Sequence, residues 1–298
     1  MEKVDIKIKF KCNNKCSFCV QGDKRHRFKD KTFTKVKQEL SEGRVTGAET
    51  IVFTGGEPTL HKDIFKLIEF SKKIGFKTVQ IQTNGRMFFY KNFCKEIISA
   101  GANEFNPSLH GSTEDIHDFL TNAQGSFVQT VKGIMNLKSL GAKVITNSVL
   151  TEKNRKDLPK LGKLLTSLGV DCYQFAFPHI LGSALENYKW LVPRKSKLNP
   201  WLKCALDYGL QAGIQVYTEA IPFCFMKGYE DCIAEIFMPN AKVFDADFKM
   251  NDFKNYRLTR GKVKGPNCRK CRYFSVCEGP WVEYPRLFGW DEFKPVNL

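Results

Sequence analysis

Long hydrophobic runs are missing from these 298 residues. The most apolar stretches, such as Tyr173–Phe177 and Ile221–Met226, fall far short of the roughly 20 apolar residues a membrane helix needs. A bilayer-spanning helix is therefore excluded. The opening residues, Met1-Glu-Lys-Val-Asp-Ile-Lys-Ile-Lys-Phe10, alternate apolar and polar like a half-buried strand and lack the apolar core of a signal peptide. A cytoplasmic location is expected. Acidic residues are scarce, 31 against 47 Lys plus Arg, which leaves a formal charge of +16. That balance favours acidic partners in general. However, no basic block interleaved with aromatics occurs, and the surplus lysines are spread over expected helix faces such as Lys62–Lys77 and Lys153–Lys163. The excess reads as a solvated surface, and a nucleic-acid partner is not expected. Internal repeats and low-complexity tracts are absent too. The length suits one large domain, or one main domain with a small appendage.

Cysteine, by contrast, is plentiful. Eleven in one chain, in a reducing compartment, argue for metal rather than disulfides. Cys12, Cys16 and Cys19 crowd one end and Cys268, Cys271 and Cys277 the other. Cys94, Cys172, Cys204, Cys224 and Cys232 lie scattered between, as small buried apolar residues usually do.

Six strand-like runs recur: Val4–Phe10, Thr50–Thr54, Thr78–Thr83, Glu104–Leu109, Lys143–Leu150 and Cys172–Phe177. Between them come segments of helical period, such as Phe65-Ile68-Phe70 before Gly75 and Val128-Val131-Ile134-Met135-Leu137-Leu140 before Gly141. This alternation predicts an α/β fold with a parallel sheet, doubly wound or curled into a barrel, whose active site lies at the strands' C-terminal ends. The rhythm stops near Pro178. A linker (Ile180–Pro200), a helix (Trp201–Ala212), a strand (Ile214–Glu219) and irregular chain rich in Gly, Pro, aromatics and cysteine follow. Residues 1–190 are expected to form the main domain and 191–298 a small module held by something other than a large core.

Cys12-x3-Cys16-x2-Cys19 begins just past the first expected strand. Three thiolates on one tight loop suit three irons of a [4Fe–4S] cube with the fourth left open for a small molecule. A zinc site would need a fourth protein ligand, for which His26 is at hand. Spacing alone leaves both open. Cys12-Asn-Asn-Lys-Cys16-Ser-Phe18-Cys19 resembles the CxxxCxxC signature of the radical S-adenosylmethionine superfamily, including an aromatic before the last cysteine. Thr54-Gly55-Gly56-Glu57-Pro58 resembles that family's GGE motif. Gln82-Thr83-Asn84-Gly85, Ser108-Leu109-His110-Gly111 and Asn147 fall at or within later strands, as the family's landmarks do.

The resemblance covers about residues 4–180 and implies a partial (β/α)6 TIM-like barrel. It further implies a cluster on Cys12, Cys16 and Cys19 that cleaves S-adenosylmethionine reductively to a 5′-deoxyadenosyl radical. Phe18, Gly55, Gly56, Glu57, Asn84, Ser108 and Asn147 would contact that cofactor, and a flavodoxin- or ferredoxin-like protein would supply electrons. Bland roles stand beside these: Glu57 as a helix N-cap ahead of Pro58, and Ser108 and Asn147 as structural polar residues.

Cys268-x2-Cys271-x5-Cys277 is a metal knuckle with three visible ligands, and its spacing alone fits zinc or iron–sulfur equally. Cys224, just beyond the strand Ile214–Glu219, is the preferred fourth ligand; Cys232 is the alternative. The knuckle resembles the SPASM and Twitch extensions that hold auxiliary [4Fe–4S] clusters. It departs from them at Trp281, where the next ligand would stand, so one auxiliary cluster is expected. The tail implies a peptide or protein side chain as substrate, with a nucleotide or other small molecule as alternative. A zinc-knuckle nucleic-acid-binding protein is the non-enzyme alternative. His110, His117, His179, Arg86, Glu219 and Glu230 are lesser candidates for contacts with cofactor or substrate.

Overall fold

The structure, a computed structural model, describes residues 3–297. The period-two pattern of the first strand is realised in β1 (Lys3–Lys9): Val4, Ile6 and Ile8 are fully buried, whereas Asp5, Lys7 and Lys9 are only partly covered. The same division of faces recurs across β2 (Thr50–Gly55), β3 (Thr78–Thr83), β4 (Glu104–Pro107), β6 (Cys172–Ala176) and β7 (Gln215–Glu219), while β5 (Lys143–Val149) mixes the two, burying Thr146 and Ser148 beside Val144 and turning Ile145 and Val149 to the other face. Ile51, Phe53, Val79, Ile81, Phe105, Val144, Tyr173 and Phe175 pack against the crossover helices Phe33–Val45, Ile64–Lys73, Lys91–Ser99, Ser126–Ser139 and Leu158–Ser167. The opposite face is polar. Its registered pairs include Lys7 beside Thr54, Gln82 beside Asn106, and Asn147 beside Gln174. Successive strands pair parallel in the order β7-β6-β5-β4-β3-β2-β1. The result is a partial barrel with an apolar layer outside and a polar lumen within.

Two features depart from the sequence expectation. The alternation does not stop near Pro178, because the helix Lys195–Gln211 is a further crossover and β7 pairs parallel with β6. Pro200 made its first turns read as linker, since proline normally breaks helix interiors, yet it lies inside this helix. The helix seats closely on its neighbour: a Cβ at Gly162 would stand 2.5 Å from the Ala205 carbonyl oxygen, and Tyr173 donates to that oxygen at 2.6 Å. The second departure is β8 (Ala241–Phe244), which pairs parallel with the outer edge of β1 and is followed antiparallel by β9 (Lys249–Met250). Four residues carry too little periodicity to be read as a strand. The tail therefore touches both edges of the barrel sheet, through β7 and through β8.

Candidate active site

A cavity of about 810 Å³ opens at the C-terminal ends of the strands. Cys12, Cys16 and Cys19 line it, on the loop leaving β1. Phe18, Gly55, Gly56, Asn84 and Ser108 line it as well.

The loop is held from several sides. Gly56 N–H donates to Lys9 O at 2.6 Å and Glu57 N–H to Lys11 O at 3.1 Å, while Lys15 and Ser17 donate to Thr121 O and Leu120 O. Arg86 donates from Nη1 to Asn13 O (2.6 Å) and Asn14 Oδ1 (2.9 Å), so it braces the loop rather than waiting for an anionic ligand. The two glycines also have a reason the sequence did not give. A Cβ on Gly55, at φ +123°, would lie 2.1 Å from Lys9 O, and one on Gly56 would lie 2.5 Å from Lys11 O. It is the cysteine loop's own backbone that demands glycine there.

The Glu57 carboxylate, expected to contact the cofactor, is fully buried and does not itself line the cavity. Oε1 accepts from Thr59 N (3.1 Å), Thr59 Oγ1 (2.6 Å) and Thr83 Oγ1 (2.7 Å), and Oε2 accepts from Asn84 N (2.7 Å). With its oxygens committed, Glu57 caps the turn Pro58–Leu60 and ties the end of β2 to that of β3. These bonds position the two strand ends, and Gly55 and Gly56 line the cavity beside Glu57. Asn84 does reach the site: its Nδ2 lies 3.7 Å from Cys12 Sγ and 2.6 Å from Asn13 Oδ1.

Phe18 stands edge-on to His110, with ring centroids 4.5 Å apart. His110 accepts Val149 N–H at Nδ1 (3.1 Å), and burial holds its pKa well below the usual value, so it is a neutral ring on the cavity wall. His117 lies behind it, accepting His110 N–H at 3.0 Å. Ser108 forms an isolated bridge with Asn147, which carries β4's pairing with β5 past Pro107. Asn147 itself does not line the cavity.

The site is short of partners in a way that fits both cofactors of the family resemblance. Burial pushes the Cys12 thiol up to about 11, with Glu57 adding to the rise, and burial followed by the Cys19 and Cys12 charges raises Cys16. Three neighbouring thiolates are costly without cations among them. Gln21 Oε1 on the cavity wall and Asn147 Oδ1 beside Ser108 are buried without a hydrogen-bond partner among the described residues. An unpaired buried acceptor costs about 1–3 kcal/mol, and S-adenosylmethionine offers an ammonium and ribose hydroxyls. His26 is exposed and lines no part of this cavity, so it does not complete a zinc tetrahedron with the loop.

A second, apolar cavity lies in the tail, lined by Cys224, Cys268, Cys271 and Cys277 together. Burial, then the Cys277, Cys268 and Cys271 charges, pushes the Cys224 thiol up to about 12. Cys232 is elsewhere, 4% exposed in the core. Cys224 arrives by a turn at Ala220, which takes φ +59°; its N–H donates to Glu235 Oε1 (2.7 Å) and its carbonyl accepts from the buried Lys195 Nζ (2.8 Å). Backbone N–H groups of Gly265, Gly279 and Val296 point at the sulfurs of Cys268, Cys277 and Cys271, at 3.2–3.4 Å. Among the described residues no three His, Cys, Asp or Glu side chains converge tightly enough for a single metal ion; the ligands of a cube, bound to different irons, need no such convergence. Trp281 packs instead of ligating, stacked on His179 at 4.1 Å. His179 lines the barrel cavity, so the tail abuts it.

Other lesser candidates find structural partners. Glu219 accepts from Gln174 Nε2 (2.6 Å), and Glu230 accepts from Tyr273 (3.0 Å). The sequence missed Asp5 and Lys7 on the lumen, and Lys24 and Asp245 across it, which pair at 2.8 Å; Gln82, quoted only as part of a landmark, lines the lumen as well. The charges alternating through β1 were the available signal for the first two.

A parallel partial barrel with a thiol triad at its rim defines a class of iron–sulfur enzymes that open radical reactions. The sequence profile of the Radical SAM superfamily matches residues 6–165, and the chain belongs to that family. It is thus an enzyme of the kind that uses a [4Fe–4S] cluster and S-adenosylmethionine. It is 30% identical over 171 residues to the GTP 3′,8-cyclase of Aquifex aeolicus, a match covering 55% of this chain and 53% of that enzyme. The chain spans about half the length of the curated relatives it matches. Among solved structures it is similar in fold to Streptococcus suis SuiB bound to the precursor peptide SuiA, at a TM-score of 0.68 and 17% identity, over 95% of this chain and 72% of that one. It is also similar to anSMEcpe with AdoMet and the Kp18Cys peptide, at 0.69 and 17%, over 100% of this chain and 92% of that one.

Proposed function

We propose that this chain opens radical chemistry on a peptide or protein side chain, with Cys12, Cys16 and Cys19 holding the cube that binds S-adenosylmethionine. When bound, the pair supplies a 5′-deoxyadenosyl radical that takes a hydrogen atom from substrate. Gly55 and Gly56 present backbone to the cofactor, Asn84 stands against Cys12, and Ser108 and Gln21 offer the polar atoms its ribose and ammonium need, with Asn147 bridged to Ser108 behind them. Phe18 and His110 close the wall. Cys224, Cys268, Cys271 and Cys277 hold a second cube in a Twitch-like module comprising residues 191–298, and an external one-electron donor reduces the enzyme.

The observation that carries the peptide reading is the tail, where Cys224, Cys268, Cys271 and Cys277 line one cavity, the arrangement whose resemblance to SPASM and Twitch extensions implies a peptide substrate; the likeness in fold to two peptide-bound structures includes that tail. The match to the GTP cyclase reaches 55%. That match favours a second reading, a nucleotide or other small biosynthetic intermediate. Both are separable by assay. Reduced, iron-loaded protein should form 5′-deoxyadenosine from S-adenosylmethionine slowly by itself and faster with the cognate peptide, and Cys16→Ala should abolish it. Cleavage retained in Cys16→Ala would refute the ligand assignment. A cyclised product from GTP would replace peptide with nucleotide.

A further inference from the structure

Alternate residues of β1 face the lumen, and two of them, Asp5 and Lys7, line the cavity with hydrogen-bonding capacity left over. Lys7 Nζ stands 3.6 Å from Asp5 Oδ1 and 3.6 Å from Asp245 Oδ2, and it donates no hydrogen bond among the described residues. Asp5 Oδ1 accepts from Thr54 Oγ1 at 2.8 Å, while its Oδ2 has no partner among the described residues. The two side chains are only 15% and 20% exposed. An ammonium and a carboxylate so far out of bulk water call for partners. Asp245, by contrast, is committed: its Oδ1 accepts from Lys24 Nζ (2.8 Å) and from Ala246 N–H (2.7 Å). It stands just past β8, so the tail strand completes this floor. Beyond it the wall is made by Phe248, Met250, Phe253 and Tyr256, the last two with rings stacked 6.1 Å apart. Arg25, on the same cavity, is taken up by Asn14 O at 3.0 Å.

The geometry points to a substrate subsite between β1 and β8, in which Lys7 donates to a carbonyl oxygen of the substrate's own main chain and Asp5 Oδ2 accepts one of its N–H groups. The apolar wall takes a neighbouring side chain. This subsite rests on the peptide reading above and deepens it. The charge balance of the floor selects the ligand. Asp5 and Asp245 offset Lys7 and Lys24, so a phosphate or carboxylate brought to Lys7 meets two acids beside it, and an ammonium brought to Asp5 meets Lys7. A peptide main chain is neutral and carries the acceptor and the donor that the floor lacks, one of each on every residue except proline. Recognition then divides between the two parts of the chain: β1 holds the substrate's backbone, and the segment after β8 reads its side chain. Ser108, assigned to the cofactor, lies three strands away at the end of β4.

The test uses full-length, iron-loaded protein, kept oxidised with S-adenosylmethionine present so that nothing turns over, and an equimolar library of acetylated, amidated hexapeptides. Peptides retained on ultrafiltration are read by mass spectrometry, and the best-retained sequence is resynthesised with each amide N-methylated in turn. Methylation of one particular amide should weaken binding to the parent at least about tenfold, the effect of one charge-assisted hydrogen bond. Asp5→Asn, which sets an NH2 group against that N–H, should bind the unmethylated peptide weaker by a similar factor and be indifferent to methylation at that position. Lys7→Met should lose as much and Lys7→Arg should recover most of it, each compared at iron content and melting temperature equal to the parent's. Parent-like affinity in both Asp5→Asn and Lys7→Met overturns the subsite, as does a peptide insensitive to methylation at every amide. GTP bound by the parent, lost in Lys7→Met and tightened in Asp5→Asn overturns it too, by making the floor an anion site. A parent that retains no peptide overturns the peptide reading together with its subsite, whereas retention that ignores the substitutions overturns the subsite alone.

Discussion

Four hydrogen bonds converge on the Glu57 carboxylate, so its loss should register first as instability. Glu57→Gln keeps the shape but sets an NH2 group against donors. About 2 kcal/mol should be lost for a charge-assisted bond inverted in a buried place, read as a lower melting temperature with weaker cofactor binding following from it. An unchanged melting temperature with lost binding would return Glu57 to direct contact. The glutamate was legible in the sequence as a family landmark and as an N-cap ahead of Pro58, but which of the two used its oxygens was not. That depends on Thr83 and Asn84 of another strand. His117, behind His110, adds to the acid sensitivity of this wall. Burial lowers its pKa to about 4 from 6.5. The unfolded chain therefore binds a proton below pH 6.5 that the folded one refuses, and stability falls as pH drops from about 6.5 towards 4, by about 3 kcal/mol in all. His117→Asn keeps an acceptor for His110 N–H and removes the titration. Urea midpoints at pH 7 and pH 5 should show the variant losing about 2 kcal/mol less than the parent between them.

At the level of elements, six barrel strands stand within two residues of where alternation placed them, because most bury an apolar face against helices and turn a polar one to the lumen; β5, with Thr146 and Ser148 buried beside Val144, is the mixed one. What alternation could not show was anything decided by partners. The helix from Lys195 begins before Pro200 because Gly162 and Tyr173 seat it on the barrel, and β8 exists because β1 has an open edge for it. Cys224 is placed the same way. Proximity to β7 suggested it, but the turn that delivers it is made by Ala220 in a left-handed conformation, pinned by Glu235 and Lys195. A left-handed alanine costs about 1 kcal/mol, so Ala220→Gly should raise the melting temperature slightly without altering iron content. Cys224→Ala should remove much of the tail iron, whereas Cys232→Ala, a core truncation, should cost about 1 kcal/mol of stability and leave the iron in place. Reversed behaviour of the two cysteines, read by iron analysis, would leave the cube and move its ligand.

For the whole molecule the measurable quantity is metal content: two cubes give about eight irons per chain, and removing Cys268, Cys271 and Cys277 together should leave about four with cleavage of S-adenosylmethionine intact. The barrel half of that molecule was readable because its chemistry sits in short motifs at strand ends. The tail was readable only as spacing, because its walls are assembled from residues far apart in sequence. The strand β8 has one more consequence, in time rather than in space. On the ribosome, β1 and the cysteine loop emerge ahead of the other strands, and the strand that covers their edge follows roughly 230 residues later, on the order of 10–50 s at about 5–20 residues per second. Until it arrives, Asp245 cannot pair with Lys24, so that side of the cavity wall is completed only after the seven barrel strands have been made.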